Sequence, residues 1–517
     1  MLLKKLISFD SLIFILLLSF GLYTHVFLPL GVSLDFIYGD LGDARFNNYL
    51  LEHNYLFFTG KIDSYWSANF MFPNENVIAI SDNLMGSSPF YMLFRVLTFD
   101  TETSYQLWFI FITLLNFFCS FFVFNKLSRN VSIAAIGAFI FAFNISLFGQ
   151  YNHLQVLPRF ITPIAIYYLI EFIKSKNLNH YTIFIFALVY QFYCGIYLGF
   201  ILLLTILFIF IYSLIIDYKS YYQLIKNRLQ IFKLTGITIL AGVFLLVLIY
   251  PYYLWSKQLG GRNFNEVADS LPTIFSYLSP VNGTLLWKNL ENLFELPIKW
   301  DHLLFPGAIP ILSVFIFIPI LIKFKNREYS YYFIGFLLLF VFTLRIVDFT
   351  LYKVIFFIPG FNSMRSLGRV INIELFFFAL FTVWSLKYFV EKAKYKYLTI
   401  FIAFVFIIID QTVVLKPSAV YNKFDSQNRI KNLLGKAKNI DETHCFAYVP
   451  KIIEYPNFVY NIDAMLLSQK INVPTINGYS ATCPNSICNF ITSLDTTTLY
   501  QWTEQNKILK NKIIIID

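Results

Sequence analysis

Residues 11–45 have the sequence SLIFILLLSFGLYTHVFLPLGVSLDFIYGDLGDAR. The apolar run at 11–30 has about the 20 residues that a helix needs to cross a bilayer core. It is longer than the ~7–15-residue apolar core of a signal peptide and lacks a small-residue cleavage site. The run therefore predicts a membrane-spanning helix or uncleaved anchor. It leads directly into an acidic motif, Gly39-Asp40-Leu41-Gly42-Asp43-Ala44-Arg45.

The composition of the whole chain is that of an integral membrane protein. Of 517 residues, 57% are hydrophobic and only 14% are charged, whereas a soluble domain has about 25% charged residues. The net charge of +10 does not indicate nucleic-acid binding, because Lys and Arg cluster in short loops between apolar runs and no binding motif is present. The cysteines have no zinc spacing. Cys483 and Cys488 are predicted to form a disulfide or to remain a free buried pair.

The hydrophobic pattern predicts a polytopic α-helical protein with about eleven membrane spans. Residues 181–216 are too long for one crossing, so we place a break at Cys194-Gly195. Basic residues fall in every alternate loop, beginning with Lys4 and Lys5, which predicts a cytoplasmic N-terminus and an extracytoplasmic C-terminus. The predicted spans are residues 11–30, 104–124, 131–149, 156–173, 181–195, 197–216, 233–253, 304–322, 330–344, 370–386 and 398–416.

The span pattern divides the chain into a transmembrane domain, residues 1–416, and a polar tail, residues 417–517. Within the first domain, residues 31–103 (the first loop) and residues 254–303 are predicted as large outer loops. The tail is predicted to form a small extracytoplasmic α/β domain, which is within the usual size of a domain. Its predicted strands are residues 443–449, 473–477 and 512–516, and its predicted helices are residues 464–469 and 485–494.

The acidic motif is the strongest candidate site in the first loop. If it is helical, Asp40 and Asp43 are separated by three residues and share one face. The alternative is a helix cap with a surface salt bridge to Arg45, which explains one acid better than two. Asp82 in Ser81-Asp82-Asn83 is by itself typical of a turn. Helices predicted at residues 44–58 and 89–97 are expected to lie along the membrane surface, with Glu52 and His53 on a solvated face.

Two arginines follow the ninth predicted span. Pro359-Gly360 ends one element and a helix is predicted to begin near Ser363, which places Arg365 and Arg369 at i and i+4. Paired guanidinium groups suit a phosphate, although interfacial anchoring is the alternative. Arg159, at the start of another span, is an anchor or a third cationic contact. Glu374, about one turn beyond Arg369, is predicted to hold that arginine in place.

Several stretches resemble a bacterial group of GT-C-like membrane proteins, and the overall layout resembles GT-C-type membrane glycosyltransferases. The resemblance implies that Asp40 is the catalytic aspartate, and that Asp43 or Asp82 places the acceptor or, in some members, a divalent metal. It implies that Arg365 and Arg369 contact a lipid phosphate. Arg45, His53 and Arg159 complete the predicted substrate-binding set. The stretches are residues 39–45, 51–53, 81–83, 153–159, 364–369 and 477–480.

The resemblance implies an inverting glycosyltransferase in the plasma (inner) membrane, with a polyprenyl-phosphate-linked sugar as donor and a lipid or glycan as acceptor. The residues themselves predict no cofactor. The chain lacks the Trp-Trp-Asp motif of oligosaccharyltransferases, which argues against transfer of an oligosaccharide to asparagine. A non-enzymatic lipid or polysaccharide transporter, or an inactive scaffold, is the alternative. A transporter would more often contain an internal repeat, and we find none.

Overall fold

The protein is a mostly helical membrane protein, described here from a computed structural model. The structure describes residues 8–414, 419–438, 440, 444–480, 483–484, 487–506 and 513–517. Lys4 and Lys5 lie outside these residues, as do Thr443, Asn485 and Lys512 at the ends of predicted tail elements.

A helix lies within each predicted span, and the helical run is interrupted at Gly195 as expected. The last of these helices ends at Asp410, and residues 415–416 of its predicted span lie outside the described residues. Six helical stretches in the described part of the chain are long and apolar enough to cross a membrane. One span starts later than predicted, because Pro158 and Pro163 allow a regular helix only from Thr162. The apolar helices are Phe9–Leu30, Thr101–Ser128, Val131–Ala142, Thr162–Ser175, Leu178–Cys194, Ile196–Ile216, Arg228–Leu259, Ala308–Phe324, Arg327–Thr343, Ile371–Lys392 and Lys396–Asp410.

The core of the helical bundle is built around two helices, Val131–Ala142 and Ile371–Lys392, whose side chains are buried along most of their length. They pack against each other and against Thr101–Ser128. Arg228–Leu259 is different: it is apolar but largely exposed. An apolar helix must be covered by protein or by lipid, so this helix presents its surface to the bilayer.

The first loop contains a long helix, Asp43–Phe58, which we call the motif helix, and a shorter one, Ser88–Val96. The motif helix is buried on every side from Ala44 to Asn54, so the predicted position along the membrane surface is wrong for this helix. Glu52 is not on a solvated face either. Its carboxylate accepts hydrogen bonds from Arg95 at 2.7 Å and from the hydroxyl of Tyr91 at 2.7 Å.

The tail packs on the first loop through backbone pairing. Strand Phe36–Tyr38 pairs antiparallel with Val420–Asn422, and the amide of Phe72 donates to the carbonyl of Thr475 at 3.1 Å. Strand Cys445–Tyr448 pairs parallel with Ile513–Ile516. The strand predicted at residues 473–477 is reduced to one bridge, between Thr475 and Phe446. The helices of the tail are Lys423–Lys436, Asn457–Ile471, Ile487–Ser493 and Thr496–Gln505. We call Asn457–Ile471 the tail helix.

Candidate functional site

The two glycines of the acidic motif shape the turn that precedes the motif helix. Gly39 has φ +96°, a conformation that favours glycine, and a Cβ there would lie 2.5 Å from the Cβ of Ala44. The amide of Gly42 donates to Oδ1 of Asp40 at 2.9 Å. Because the helix begins only at Asp43, Asp40 lies in the preceding turn. The prediction that both acids lie on one helical face is therefore wrong.

Both oxygens of the Asp43 carboxylate are hydrogen-bonded. Oδ2 lies 2.5 Å from Nδ1 of His153, and Oδ1 accepts from the hydroxyl of Tyr479, in the tail, at 2.5 Å. The carboxylate also lies in the first turn of a helix, where the helix dipole favours negative charge. Burial alone would raise the pKa of Asp43, but the His153 contact, the Tyr479 hydroxyl and the charge of Arg369 lower it to about 2. Asp43 is therefore ionised at neutral pH.

Asp40 has the opposite environment. The residue is exposed, and among the described residues the hydrogen bond that its side chain accepts comes from Gly42. Partial desolvation, followed by the nearby negative charge of Asp43, raises the pKa of Asp40 above its usual value. A neighbouring pair of carboxylates with divergent pKa values is typical of an acid/base site.

Arg365 and Arg369 do not lie on one α-helix as predicted. Leu367–Val370 forms a 3₁₀ turn and the α-helix begins at Ile371, because the chain from Met364 to Ser366 is extended. The Arg369 guanidinium lies over the ring of Tyr197, 4.6 Å from its centroid. Arg365 is exposed, and its side chain makes no ion pair or hydrogen bond with the residues that the structure describes.

The arginines nevertheless lie near the acids. The charge of Arg369 lowers the pKa of both Asp43 and Asp82, each against the larger and opposite effect of burial. Similarly, burial raises the pKa of the Tyr479 hydroxyl, and the charge of Arg365 opposes this shift. The structure thus brings together acids from the first loop, two arginines from the segment before Ile371–Lys392, and a tyrosine from the tail.

The segment that contains the arginines, residues 364–370, is held by neighbours on both sides. The hydroxyl of Tyr197 donates to the carbonyl of Ser366 at 2.6 Å, and the hydroxyl of Ser366 donates to Asp301 at 2.6 Å. Glu374 does not hold Arg369 as predicted. Its carboxylate instead accepts from the hydroxyl of Tyr277 at 2.6 Å.

Asp82 supports the arginine side of the site. It is buried, and its Oδ1 accepts from the amide of Tyr197 at 3.3 Å. Burial raises the pKa of Asp82, and the charge of Arg369 opposes this shift. Asp82 therefore contacts Tyr197, the residue whose ring lies under Arg369. This role goes beyond that of a simple turn residue.

Three predicted substrate-binding residues have structural contacts inside the protein. Arg45 is 1% exposed and forms an ion pair with Asp463 of the tail helix at 2.6 Å. His53 is buried with Nε2 2.7 Å from the carbonyl of Tyr65, and burial lowers its pKa to about 4. Arg159 donates to the carbonyl of Phe141 at 2.8 Å and to Asn372 at 3.3 Å. These contacts engage only part of each guanidinium, because Nε and Nη1 of Arg45 and Nε of Arg159 have no hydrogen-bond partner among the described residues. The substrate-binding role of the three residues stays a prediction.

Three residues at the site were not identified from the sequence. His153 and Tyr479 lie within stretches that support the resemblance, at residues 153–159 and 477–480. Nothing in their local pattern indicates contact with Asp43. Tyr197 lies near the start of an apolar helix, where an aromatic residue is ordinary.

The residues at the site do not fit the divalent metal that the resemblance allows. Among the described residues, no group of three or more His, Cys, Asp or Glu side chains could hold a metal ion. Both oxygens of Asp43 are already hydrogen-bonded, and Asp82 accepts from a backbone amide. We therefore derive no step through a metal.

Solved structures with a similar arrangement include an oligosaccharyltransferase from Archaeoglobus fulgidus. Its apo form and its form tethered to an acceptor peptide containing the NVT sequon each superpose with a TM-score of 0.52, at 11% and 10% identity. Each match covers 96% of this chain and 68% of the other. The chain has a GT-C-type fold. No protein-family model and no curated protein sequence matches it. At this identity the GT-C-type likeness concerns the fold alone.

Proposed function

We propose that the protein is a membrane glycosyltransferase that moves a sugar from a polyprenyl-phosphate-linked donor to a lipid or glycan acceptor. The observation that supports this most is the site itself. The Asp40 and Asp43 carboxylates have divergent pKa values, and the charges of Arg369 and Arg365 act on Asp43 and on its partner Tyr479, all on a GT-C-type fold. The basic loops favour a plasma-membrane protein with about eleven spans, its N-terminus in the cytoplasm and the site on the outer face.

The proposed reaction assigns the two sides of the site different tasks. Arg365 and Arg369 bind the donor phosphate and stabilise the charge that grows on it as the bond from the anomeric carbon to the phosphate oxygen breaks. The acceptor hydroxyl attacks the anomeric carbon from the opposite side and inverts it. Asp40 accepts the proton of that hydroxyl, since its raised pKa suits a general base better than the low pKa of Asp43.

The direct test is sugar transfer by the full-length protein in lipid nanodiscs, with a panel of radiolabelled polyprenyl-phosphate sugars and extracted envelope glycolipids as acceptors. Asp40→Asn is expected to slow transfer by about 10²–10⁴-fold, the usual contribution of a general base. Arg369→Ala is expected to weaken donor binding and to slow transfer.

The matched controls substitute an aspartate and an arginine that lie away from the site. Asp35→Asn changes an acid in the same loop, and Arg327→Ala changes an arginine that forms an ion pair with Asp217. Both should retain wild-type transfer. Wild-type transfer by Asp40→Asn would refute the assignment of the base. Donor binding without turnover by the wild-type protein, across the whole panel, would favour a transporter or scaffold.

A further inference from the structure

The two carboxylates of the acidic pair, Asp40 and Asp43, differ in the hydrogen bonds that they accept. Asp43 has both oxygens engaged, by His153 at 2.5 Å and by Tyr479 at 2.5 Å, whereas Asp40 is exposed and its carboxylate accepts from the amide of Gly42 in its own turn at 2.9 Å. His153 and Asp43 are themselves partly exposed, at 27% and 22% of their side-chain surface. The contact therefore lies at the edge of the site rather than in the protein core.

We propose, on the basis of the proposed transferase function, that His153 is a positioning residue. By engaging Asp43 together with Tyr479, it leaves Asp40 as the carboxylate of the pair that can take the acceptor proton. The negative charge of Asp43 acts on Asp40, and two carboxylates that interact strongly titrate as a pair, in which neither is a dedicated base.

The contact with Asp43 fixes the orientation of the His153 ring. Its Nδ1 is directed at Asp43, and its Nε2 makes no hydrogen bond with the residues that the structure describes. A carboxylate bound at one ring nitrogen fixes the plane of the imidazole. The carboxylate in turn keeps a defined rotamer, and this determines where its negative charge lies relative to Asp40.

Asp43 and His153 are expected to shift the pKa of Asp40 in opposite directions. The negative charge of Asp43 raises the pKa of Asp40, while the positive charge of protonated His153 lowers it, both beside the larger effect of desolvation. Asp40 also acts electrostatically on hydroxyl groups from three other elements, and Arg369 acts on Asp43. The hydroxyl groups belong to Tyr105, Tyr421 and Tyr479.

The experiment measures the pH dependence of transfer for His153→Gln, Asp43→Asn and the wild-type protein. His153→Gln should move the acid limb of the profile to higher pH, because the charge that favours ionised Asp40 is removed. Asp43→Asn should move it to lower pH, because the charge that disfavours ionised Asp40 is removed. Shifts in the same direction, or no shift in either variant, would overturn the proposal. His180→Gln, a histidine that contacts Ser175 elsewhere in the chain, is the control and should leave the profile unchanged.

A second measurement does not depend on turnover. A carbodiimide modifies protonated carboxyl groups, so the labelling of Asp40 can be followed by mass spectrometry as a function of pH. The midpoint should move up in His153→Gln and down in Asp43→Asn. Opposite shifts in labelling without any sugar transfer would leave the positioning role intact and refute the proposed function. Unchanged midpoints alongside normal transfer would refute the positioning role alone.

Discussion

The ion pair between Arg45 and Asp463 should decide whether the tail stays bound to the first loop. The two side chains are 1% and 2% exposed and their charged atoms are 2.6 Å apart, so Arg45→Met would leave a buried carboxylate with one partner fewer. Removing one member of a buried pair costs about 3–5 kcal/mol. We expect the lower end, about 3 kcal/mol, because Arg429 still contacts Asp463.

This loss of stability can be measured as local opening. A cost of about 3 kcal/mol corresponds to a rise of about 150-fold in the open population. Hydrogen exchange of the tail helix, Asn457–Ile471, should accelerate by about that factor in the full-length protein, whereas Ile371–Lys392 should be unaffected.

Two further variants make the test decisive. Arg429→Met removes the other partner of the same buried carboxylate, but Arg429 itself is 20% exposed and water can replace part of the contact, so the cost should be smaller than that of Arg45→Met. In the double variant Arg45→Met/Asp463→Leu the buried carboxylate of residue 463 is gone, and much of the stability should return. Exchange of the tail helix within about threefold of wild type in Arg45→Met would refute this account of how the tail is held.

Three other predictions concern the site. Gly39→Ala should lower the free energy of unfolding by about 1–3 kcal/mol, measured by thermal unfolding in detergent, because φ is +96° there and the new Cβ would meet Ala44; Gly236→Ala, with open space around it, is the control. Asp43 has a pKa of about 2 against 3.8, so its ionised form should contribute about 2 kcal/mol that is fully present above about pH 4 and is lost as the pH falls through about 2; Asp43→Asn should show a smaller loss of stability over that range, and an unchanged acid profile would contradict the assignment. Asp82→Asn should raise the KM for donor about 5–10-fold with little change in kcat, since it loosens the contact with Tyr197 beneath Arg369 rather than touching the acceptor; an equal fall in kcat would place Asp82 in the chemical step.

The positions of the apolar helices could be predicted from the sequence because a helix needs a minimum number of consecutive apolar residues to cross the bilayer. The break at Gly195 and the positions of the apolar helices follow from that requirement. The motif helix, predicted at residues 44–58, begins at Asp43 and so agrees with the prediction to within one residue. The turn that Gly39 and Gly42 form before it was not predicted, and this turn leaves Asp40 outside the helix.

The site was predictable only where its chemistry is concentrated in one segment. Asp40, Asp43, Arg365 and Arg369 were identified because charges are rare in this chain, and the structure brings these segments together. His153 and Tyr479 meet Asp43 across 110 and 436 residues of sequence, and no local pattern encodes such a contact. Arg45 is a further case, because its place within the motif suggested a ligand, and its ion pair with a buried aspartate of the tail was not predicted.

The pairing of Phe36–Tyr38 with Val420–Asn422 has a consequence for how the protein is made. The acidic motif leaves the ribosome before Tyr479, whose hydroxyl engages Asp43 and which follows it by 436 residues. During synthesis the motif therefore has neither its partner strand nor the contact that occupies Oδ1 of Asp43. The contacts between the first loop and the tail can therefore form only after the helices between them have been synthesised. A nascent chain that stalls before residue 419 lacks the tail contacts described here.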